Sequence, residues 1–366
     1  MIGTVCLITN MPAPYRVPVF DRLSLLLKEL HIQLLVLYLS KTEPNRSWAF
    51  PNMAHDHVVL AGKTYSFGKT FFHWNLSSLL KELRRSKPIA VITSGFDASM
   101  LQAFLWARIA KVPHISFSDG TLDSERRFGF FRRLTRRAVV KGSHCVIGAS
   151  MKTLALYRHY GAPSEKCFES CLCVDNDRYQ GRDQKKEFDL LYVSQIIHGK
   201  MPDLIIEIMV ELGTNYSLLV VGDGTLKTWF LKELEEKGVR YRYAGFVQPD
   251  ETPAFFQKVR LLLFPTRRDA WGIVANEACA AGIPVLTTRE AGVAGELIID
   301  GENGFVLPPV ASVWAEHIRT LLNDRKLYSD MCREASSRVR MFTCERAARG
   351  IVDAVTASLD EQARKR

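Results

Sequence analysis

Short apolar runs alternate along this chain with longer stretches in which apolar residues return every three or four positions. The short runs read as buried strands and the periodic stretches as amphipathic helices. In the first half the pattern predicts strands over Thr4–Thr9, Gln33–Leu39, Ile89–Ser94, His114–Ser118 and Cys145–Ala149. Helices are predicted over Val17–Leu30, Leu76–Arg85, Ala98–Lys111 and Met151–Tyr160. The polar run Gly181–Glu187 then reads as a linker. Beyond it the alternation restarts with strands over Asp189–Val193, Ser217–Val221, Leu261–Phe264 and Ile283–Leu286, and Thr343–Arg366 is a basic amphipathic run. Strand–helix alternation of this kind implies doubly wound parallel sheets. The expected division is 1–179, 180–342 and a final helix over 343–366.

Composition narrows the class without naming a function. A chain of 366 residues, 47% hydrophobic and 24% charged, suits two globular domains. The greasy stretch Leu23–Leu39 is interrupted by Lys28, Glu29 and His31, so no segment is expected to span a bilayer. Met1–Thr4 runs straight into a strand, and no leader is expected. Eight scattered cysteines, including the closely spaced Cys171 and Cys173, are expected to be reduced thiols in a cytosolic protein. The formal charge of +10 calls for an anionic partner. It concentrates in Arg126–Arg137, where arginine pairs surround Phe128, Phe130 and Phe131. A helix there would pair an arginine face with an apolar face, the profile of an element lying on anionic lipid. RNA is the competing partner, but no nucleic-acid motif accompanies the patch.

The candidate chemistry lies in Arg260–Gly304, which reads as strand, turn, helix, strand, turn, helix. After Phe264 comes the polar turn Thr266–Asp269, then Gly272 and a small-residue helix that stops at Gly282. Backbone amides at the mouth of such a helix, here Ala270 to Ile273, make an anion seat. Arg267 and Arg268 stand beside it, and Asp269 and Glu277 flank it. Carboxylates repel phosphate but accept hydrogen bonds from hydroxyls. Cation, helix dipole and two acceptors together fit a nucleotide-sugar.

Asp269-Ala270-Trp271-Gly272-Ile273-Val274-Ala275-Asn276-Glu277, followed by Gly282-Ile283-Pro284-Val285, resembles the signature of the retaining family 4 glycosyltransferases of the GT-B fold. That signature is an acidic residue, seven residues and a Glu, usually opening Glu-Gly-Phe-Gly. The resemblance implies that Asp269 holds donor-sugar hydroxyls and Glu277 the ribose. Ser194–Lys200 resembles the family's Gly-Arg-Leu-x3-Lys diphosphate grip, with Lys200 in register and Gln195 in place of the Arg. Gly222-Asp223-Gly224 after a strand would let the backbone approach a ligand closely, and Tyr243–Val247, with Phe246, looks like the base-contacting strand end. Asn10–Arg16 resembles the opening loop that borders the cleft, with Tyr15 and Arg16 exposed on the acceptor side and Asp97 at the next strand end. Where many members carry a His, this sequence has Asp119, which could position the acceptor hydroxyl or the donor sugar; His114, within its strand, reads as a core histidine. Val174–Tyr179 resembles the Val-Asp-x-x-x-Phe segment that ends the first domain, so Asp175-Asn176-Asp177 is read as linker and not as a metal motif.

The resemblance implies two Rossmann-like domains facing a cleft, with the last helix crossing back to the first. It implies a metal-independent retaining transferase without cofactor, using Asp269, Lys200 and Asp119 catalytically; the basic, Phe-bearing first half and the Pro12-Pro14-Tyr15 loop suggest the inner face of the cell membrane. The expected partners are a nucleotide-sugar, a lipid-linked glycan of surface polysaccharide or lipopolysaccharide, and anionic membrane through Arg126–Arg137, with no nucleic acid. The alternatives are a sugar-nucleotide epimerase of the same fold and a non-catalytic membrane adaptor.

Overall fold

The computed structural model describes residues 3–43, 48–67, 70–126, 128–180 and 186–365. The chain opens with β1 (Gly3–Thr9), α1 (Val17–Glu29), β2 (Ile32–Tyr38), β3 (His57–Val59), β4 (Lys63–Phe67), β5 (Thr70–Trp74) and α2 (Leu76–Ser86). It continues with β6 (Ala90–Ser94), α3 (Ala98–Ile109), β7 (His114–Ser118), α4 (Leu122–Glu125), α5 (Phe130–Gly142), β8 (Cys145–Gly148), α6 (Met151–His159) and β9 (Cys167–Glu169). The second half holds β10 (Phe188–Val193), α7 (Pro202–Leu212), β11 (Leu218–Val221), α8 (Lys227–Glu236), β12 (Tyr241–Tyr243) and α9 (Thr252–Phe256). Then come β13 (Val259–Phe264), α10 (Ile273–Ala280), β14 (Val285–Thr287), β15 (Gly304–Val306), α11 (Ala311–Asn323), α12 (Arg325–Val339) and α13 (Cys344–Arg364).

Two compact units result: residues 1–172 with 344–366, and residues 173–343. In the first, a parallel sheet runs β3-β2-β1-β6-β7-β8-β9, and β4 and β5 form a separate antiparallel pair. Its strands bury Val5–Ile8, Ala90–Ile92 and Ile115–Phe117 on both faces, which is why they read as continuous apolar runs. In the second, a parallel sheet runs β12-β11-β10-β13-β14-β15. Strand order reverses between β1 and β6 in one unit and between β10 and β13 in the other. At such a switch point neighbouring loops leave in opposite directions and open a crevice at the carboxyl ends of the strands.

The boundary falls between Leu172 and Cys173 rather than after Tyr179. The segment read as linker is ordered: Asn176–Arg178 forms a 3-10 turn, and the Asn176 amide donates to the carbonyls of Val339 (3.2 Å) and Phe342 (3.1 Å). Of the run Gly181–Glu187, residues 181–185 lie outside the described residues.

Helix α13 belongs to the first unit because its buried stripe, Ala347, Ala348, Ile351, Ala354, Val355 and Ser358, recurs with helical period and packs on α1, β8 and β9. Arg22 pairs with Glu345, and Lys166 with Glu361 at 2.8 Å. Gly350 lets the helix touch the sheet: a Cβ there would stand 1.6 Å from the Glu169 carbonyl oxygen. An exposed helical Gly→Ala stabilises by about 0.5–1 kcal/mol. Gly350→Ala is expected to reverse that sign and destabilise by about 2 kcal/mol through overpacking, read from urea melts.

Candidate active site

The second unit's switch point is built from the loops after β10 and β13. After β10 the chain crosses Ser194–Ile197, makes a 3-10 turn over His198–Lys200 and enters α7 at Pro202. A residue before proline is pushed out of the right-handed helical region, and Met201 adopts φ 49°, ψ 52°. Buried at 5% exposure, it is held there by packing. The Tyr192 hydroxyl donates to the Lys200 carbonyl at 2.9 Å.

The loop after β13 is stitched to this turn. The Thr266 hydroxyl and the Arg267 amide both donate to the Gly199 carbonyl, at 3.1 and 2.9 Å. The Arg268 amide donates to the Thr266 hydroxyl at 3.3 Å. These bonds fix Lys200 opposite Asp269, and the two side chains form an ion pair across the switch point. The Lys200 ammonium also lies 5.1 Å from the centroid of the Phe264 ring. An ammonium carries three donors, so the pair with Asp269 leaves donors for an anionic ligand.

Asp269 has a second task. Its carboxylate accepts from the Trp271 amide at 3.2 Å, so one of the amides expected to seat an anion is already occupied. Gly272 at the α10 N-cap has φ 108°, and Ile273 begins the helix. Trp271, where the family pattern has Phe, is buried; its indole donates to Asn276 Oδ1 at 2.7 Å. Arg267 pairs with Asp203 at 2.9 Å on the surface, and Arg268 is exposed. A surface pair of this kind is weak, so a ligand phosphate could draw Arg267 away.

Glu277 sits on α10. The Tyr179 hydroxyl donates to it at 2.7 Å and is itself 3.0 Å from the Thr252 hydroxyl. Burial pushes the Glu277 carboxyl up to about 7, against the lowering effect of the Tyr179 bond. A carboxylate so desolvated calls for further donors. Tyr179 carries a hydroxyl where the resembling segment has Phe, and no local pattern in the sequence ties that hydroxyl to Glu277. Tyr179→Phe removes the bond that lowers the Glu277 carboxyl, so its titration midpoint is expected to move upward by about one unit, readable by NMR of the side-chain carboxyl.

Gly222 and Gly224 face the loop that follows β10. A Cβ on Gly222 would lie 1.9 Å from the Ser194 carbonyl oxygen, and one on Gly224 would lie 2.4 Å from that of Ile196. The glycines therefore admit the neighbouring Ser194–Ile197 loop, and Gly222 also needs its φ of 124°. The Ile196 amide bonds the Asp223 carbonyl at 2.9 Å, completing the join. Gln195 lies in this loop, and Phe246 is exposed beyond β12.

The first unit carries the remaining candidates at the carboxyl edge of its sheet. Tyr15 and Arg16 follow β1, Asp97 follows β6 and Asp119 follows β7. Asp97 caps α3, accepting from the Met100 amide at 2.9 Å, which gives it a structural duty. Asp119 is exposed. His114 is a core histidine: it bonds Thr93 (3.0 Å) and Ser143 (2.9 Å), and burial lowers it to about 3.

Within Arg126–Arg137, Arg127 lies outside the described residues, and the helix begins only at Phe130. Arg136 is not part of an outward arginine face. It pairs with buried Glu125 at 2.7 Å and stacks on Phe96 and Phe128, 4.7 and 4.4 Å from their centroids. Tyr160 donates to the same carboxylate at 2.5 Å. Phe130, Phe131 and Leu134 do face solvent, at 73, 81 and 52% exposure.

Among known proteins, residues 174–338 match the family model described as Glycosyl transferases group 1. An uncharacterised glycosyltransferase of Methanocaldococcus jannaschii is 28% identical over 167 residues, 44% of this chain and 46% of the relative. The capsular polysaccharide biosynthesis glycosyltransferase CapM of Staphylococcus aureus is 29% identical over 178 residues, 45% and 46% of the two chains. The matched part thus spans under half the length of these two relatives. The solved structure of Anabaena HepE in complex with UDP superposes with TM-score 0.76 at 15% identity, covering 97% of this chain and all of that one. The fold is GT-B, and the family model and relatives point to a group 1 glycosyltransferase. No helix among the described residues is long and apolar enough to cross a membrane.

Proposed function

We propose that this chain is a retaining, metal-independent glycosyltransferase that moves a sugar from a nucleotide-sugar to a hydroxyl of a lipid-linked glycan in surface polysaccharide assembly. The observation that carries the reading is the Lys200–Asp269 pair across the β10/β13 switch point, beside the mouth of α10. CapM's part in capsular polysaccharide biosynthesis and HepE's complex with UDP support the acceptor class and the donor class.

On this reading Lys200 and the α10 mouth meet the charge that develops on the leaving diphosphate. Preorganised donors of this kind are usually the largest catalytic term. Asp269 accepts from donor-sugar hydroxyls and Glu277 from the ribose. The bond from the anomeric carbon to the diphosphate oxygen breaks as the acceptor oxygen arrives on the same face. The acceptor's proton passes to the departing phosphate oxygen. The test is proton NMR of the products from UDP-, GDP-, ADP- and CMP-sugars with glycan acceptors. An axial donor linkage kept axial in the product, unaffected by EDTA, is expected. An inverted linkage, or donor epimerised without acceptor, would contradict it.

The exposed Phe130, Phe131 and Leu134 beside exposed Arg132 and Arg137 suit an anionic membrane surface. The double change Phe130→Ser/Phe131→Ser is expected to weaken co-sedimentation with phosphatidylglycerol vesicles by about tenfold or more, from the apolar area withdrawn. Unchanged vesicle binding would remove the membrane from the proposal.

A further inference from the structure

The ring of Phe264 touches both parts of the proposed diphosphate seat. Phe264 is the last residue of β13 and is 3% exposed. Successive side chains on a strand point to opposite faces. Leu261 and Leu263 join the core formed with α7 and α11, so Phe264 turns to the other face, where α10 packs on β13. Its main chain is pinned: it pairs with Thr287 of β14, whose hydroxyl donates to the Phe264 carbonyl at 2.8 Å. From this fixed point the ring meets two elements. The Lys200 ammonium, arriving from the loop after β10, lies 5.1 Å from the ring centroid. Gly272, the N-cap of α10, lies against the ring edge: a Cβ there would stand 2.2 Å from Cε1 and 2.5 Å from Cζ.

A lysine stem is long and rich in rotamers, and an ammonium held by one carboxylate can pivot about that contact. The Phe264 face gives Lys200 a second point of restraint through the quadrupole of the ring. It does so without adding formal negative charge, where a second carboxylate would repel a diphosphate. The same rigid ring bears on the residue that opens α10, so the cation and the helix mouth are referred to one side chain. We propose that Phe264 is the positioning residue of this site, setting where the Lys200 ammonium stands relative to the mouth of α10. It acts through Lys200 and touches no substrate. This rests on the glycosyl-transfer reading in one respect, that the anion seated there is the diphosphate of the donor. A phenylalanine that only fills the core would be missed equally with and without Lys200.

That difference is the test, a double-mutant cycle on the full chain with Phe264→Leu and Lys200→Ala. It is read by NMR titration with inorganic pyrophosphate and by kcat for sugar transfer. Phe264→Leu keeps an apolar side chain in place and removes the aromatic face. With Lys200 present it is expected to weaken pyrophosphate binding and to lower kcat, each by about tenfold. In the Lys200→Ala background its further effect on either is expected to stay within about twofold. In the wild type the Lys200 Cε protons are expected to resonate upfield of their ordinary position through the ring current, a readout that needs no variant to fold. Ordinary Cε shifts, equal losses in the two backgrounds, or no pyrophosphate binding by the wild type would each overturn the proposal. The two ideas fail separately. Sugar transfer with an uncoupled Phe264→Leu loss sinks the positioning role alone. Coupled pyrophosphate binding without transfer from any nucleotide-sugar supports the positioning role and sinks glycosyl transfer.

Discussion

Lys200→Ala is expected to lower kcat/KM for sugar transfer by about a hundred- to a thousandfold, the range seen when one preorganised donor to developing charge is removed. The change takes away a cation and leaves Asp269 as an uncompensated carboxylate at the place proposed for the diphosphate. Two effects then add: charge stabilisation is lost in the transition state, and repulsion appears in the ground state. They separate in the double variant. Lys200→Ala/Asp269→Asn removes the repulsion, so donor affinity should recover while kcat stays low. Fold stability should change little, because a part-exposed ion pair contributes on the order of 1 kcal/mol or less. Equal kcat in the wild type and Lys200→Ala would show that the switch-point pair is structural.

Glu277 yields the second large effect, and its sign follows from burial. The carboxyl titrates at about 7 in the folded protein against an ordinary 4.5. A raised folded value means that the protonated form is the one the fold favours. The associated stability is complete below about pH 4.5 and is lost as pH rises through 7. The second unit should therefore melt at a lower temperature at pH 8 than at pH 5, and Glu277→Gln should flatten that slope. Donor binding runs the other way. Ribose hydroxyls donate to the ionised carboxylate, so donor affinity should weaken as pH falls below 7, by up to tenfold per unit. Glu277→Ala should bind donor about ten- to a hundredfold more weakly at pH 8, the loss expected for one hydrogen bond to a charged group. A pH-independent donor affinity in the wild type would remove Glu277 from the ribose role.

Much of this was legible in advance, for physical reasons. Strands such as β7 and β10 are buried on both faces and flanked by helices of clear period, so their positions came within a residue or so. Short edge elements were not: β3 and β9 have three residues each and no continuous apolar run. Antiparallel β4 and β5 lack an Asn-Gly or Asp-Gly turn between them. In the site, register placed Lys200 and Asp269, but not the ion pair between them, which depends on Thr266 and Gly199 joining two loops far apart in sequence. The spacing of Gly222 and Gly224 was visible while its reason was not, because the atoms they avoid belong to residues 194 and 196. Arg136 read as surface charge, since nothing local to it announces the buried Glu125 carboxylate.

The measurement that bears most directly on the central claim is thermal stabilisation by UDP-, GDP-, ADP- and CMP-sugars, run on the wild type and on Glu277→Ala. One nucleotide class should raise the melting temperature of the wild type at pH 8 and leave that of the variant nearly unmoved. Stabilisation of both proteins alike would contradict the assignment of Glu277, and stabilisation of neither by any donor would contradict the glycosyltransferase reading itself.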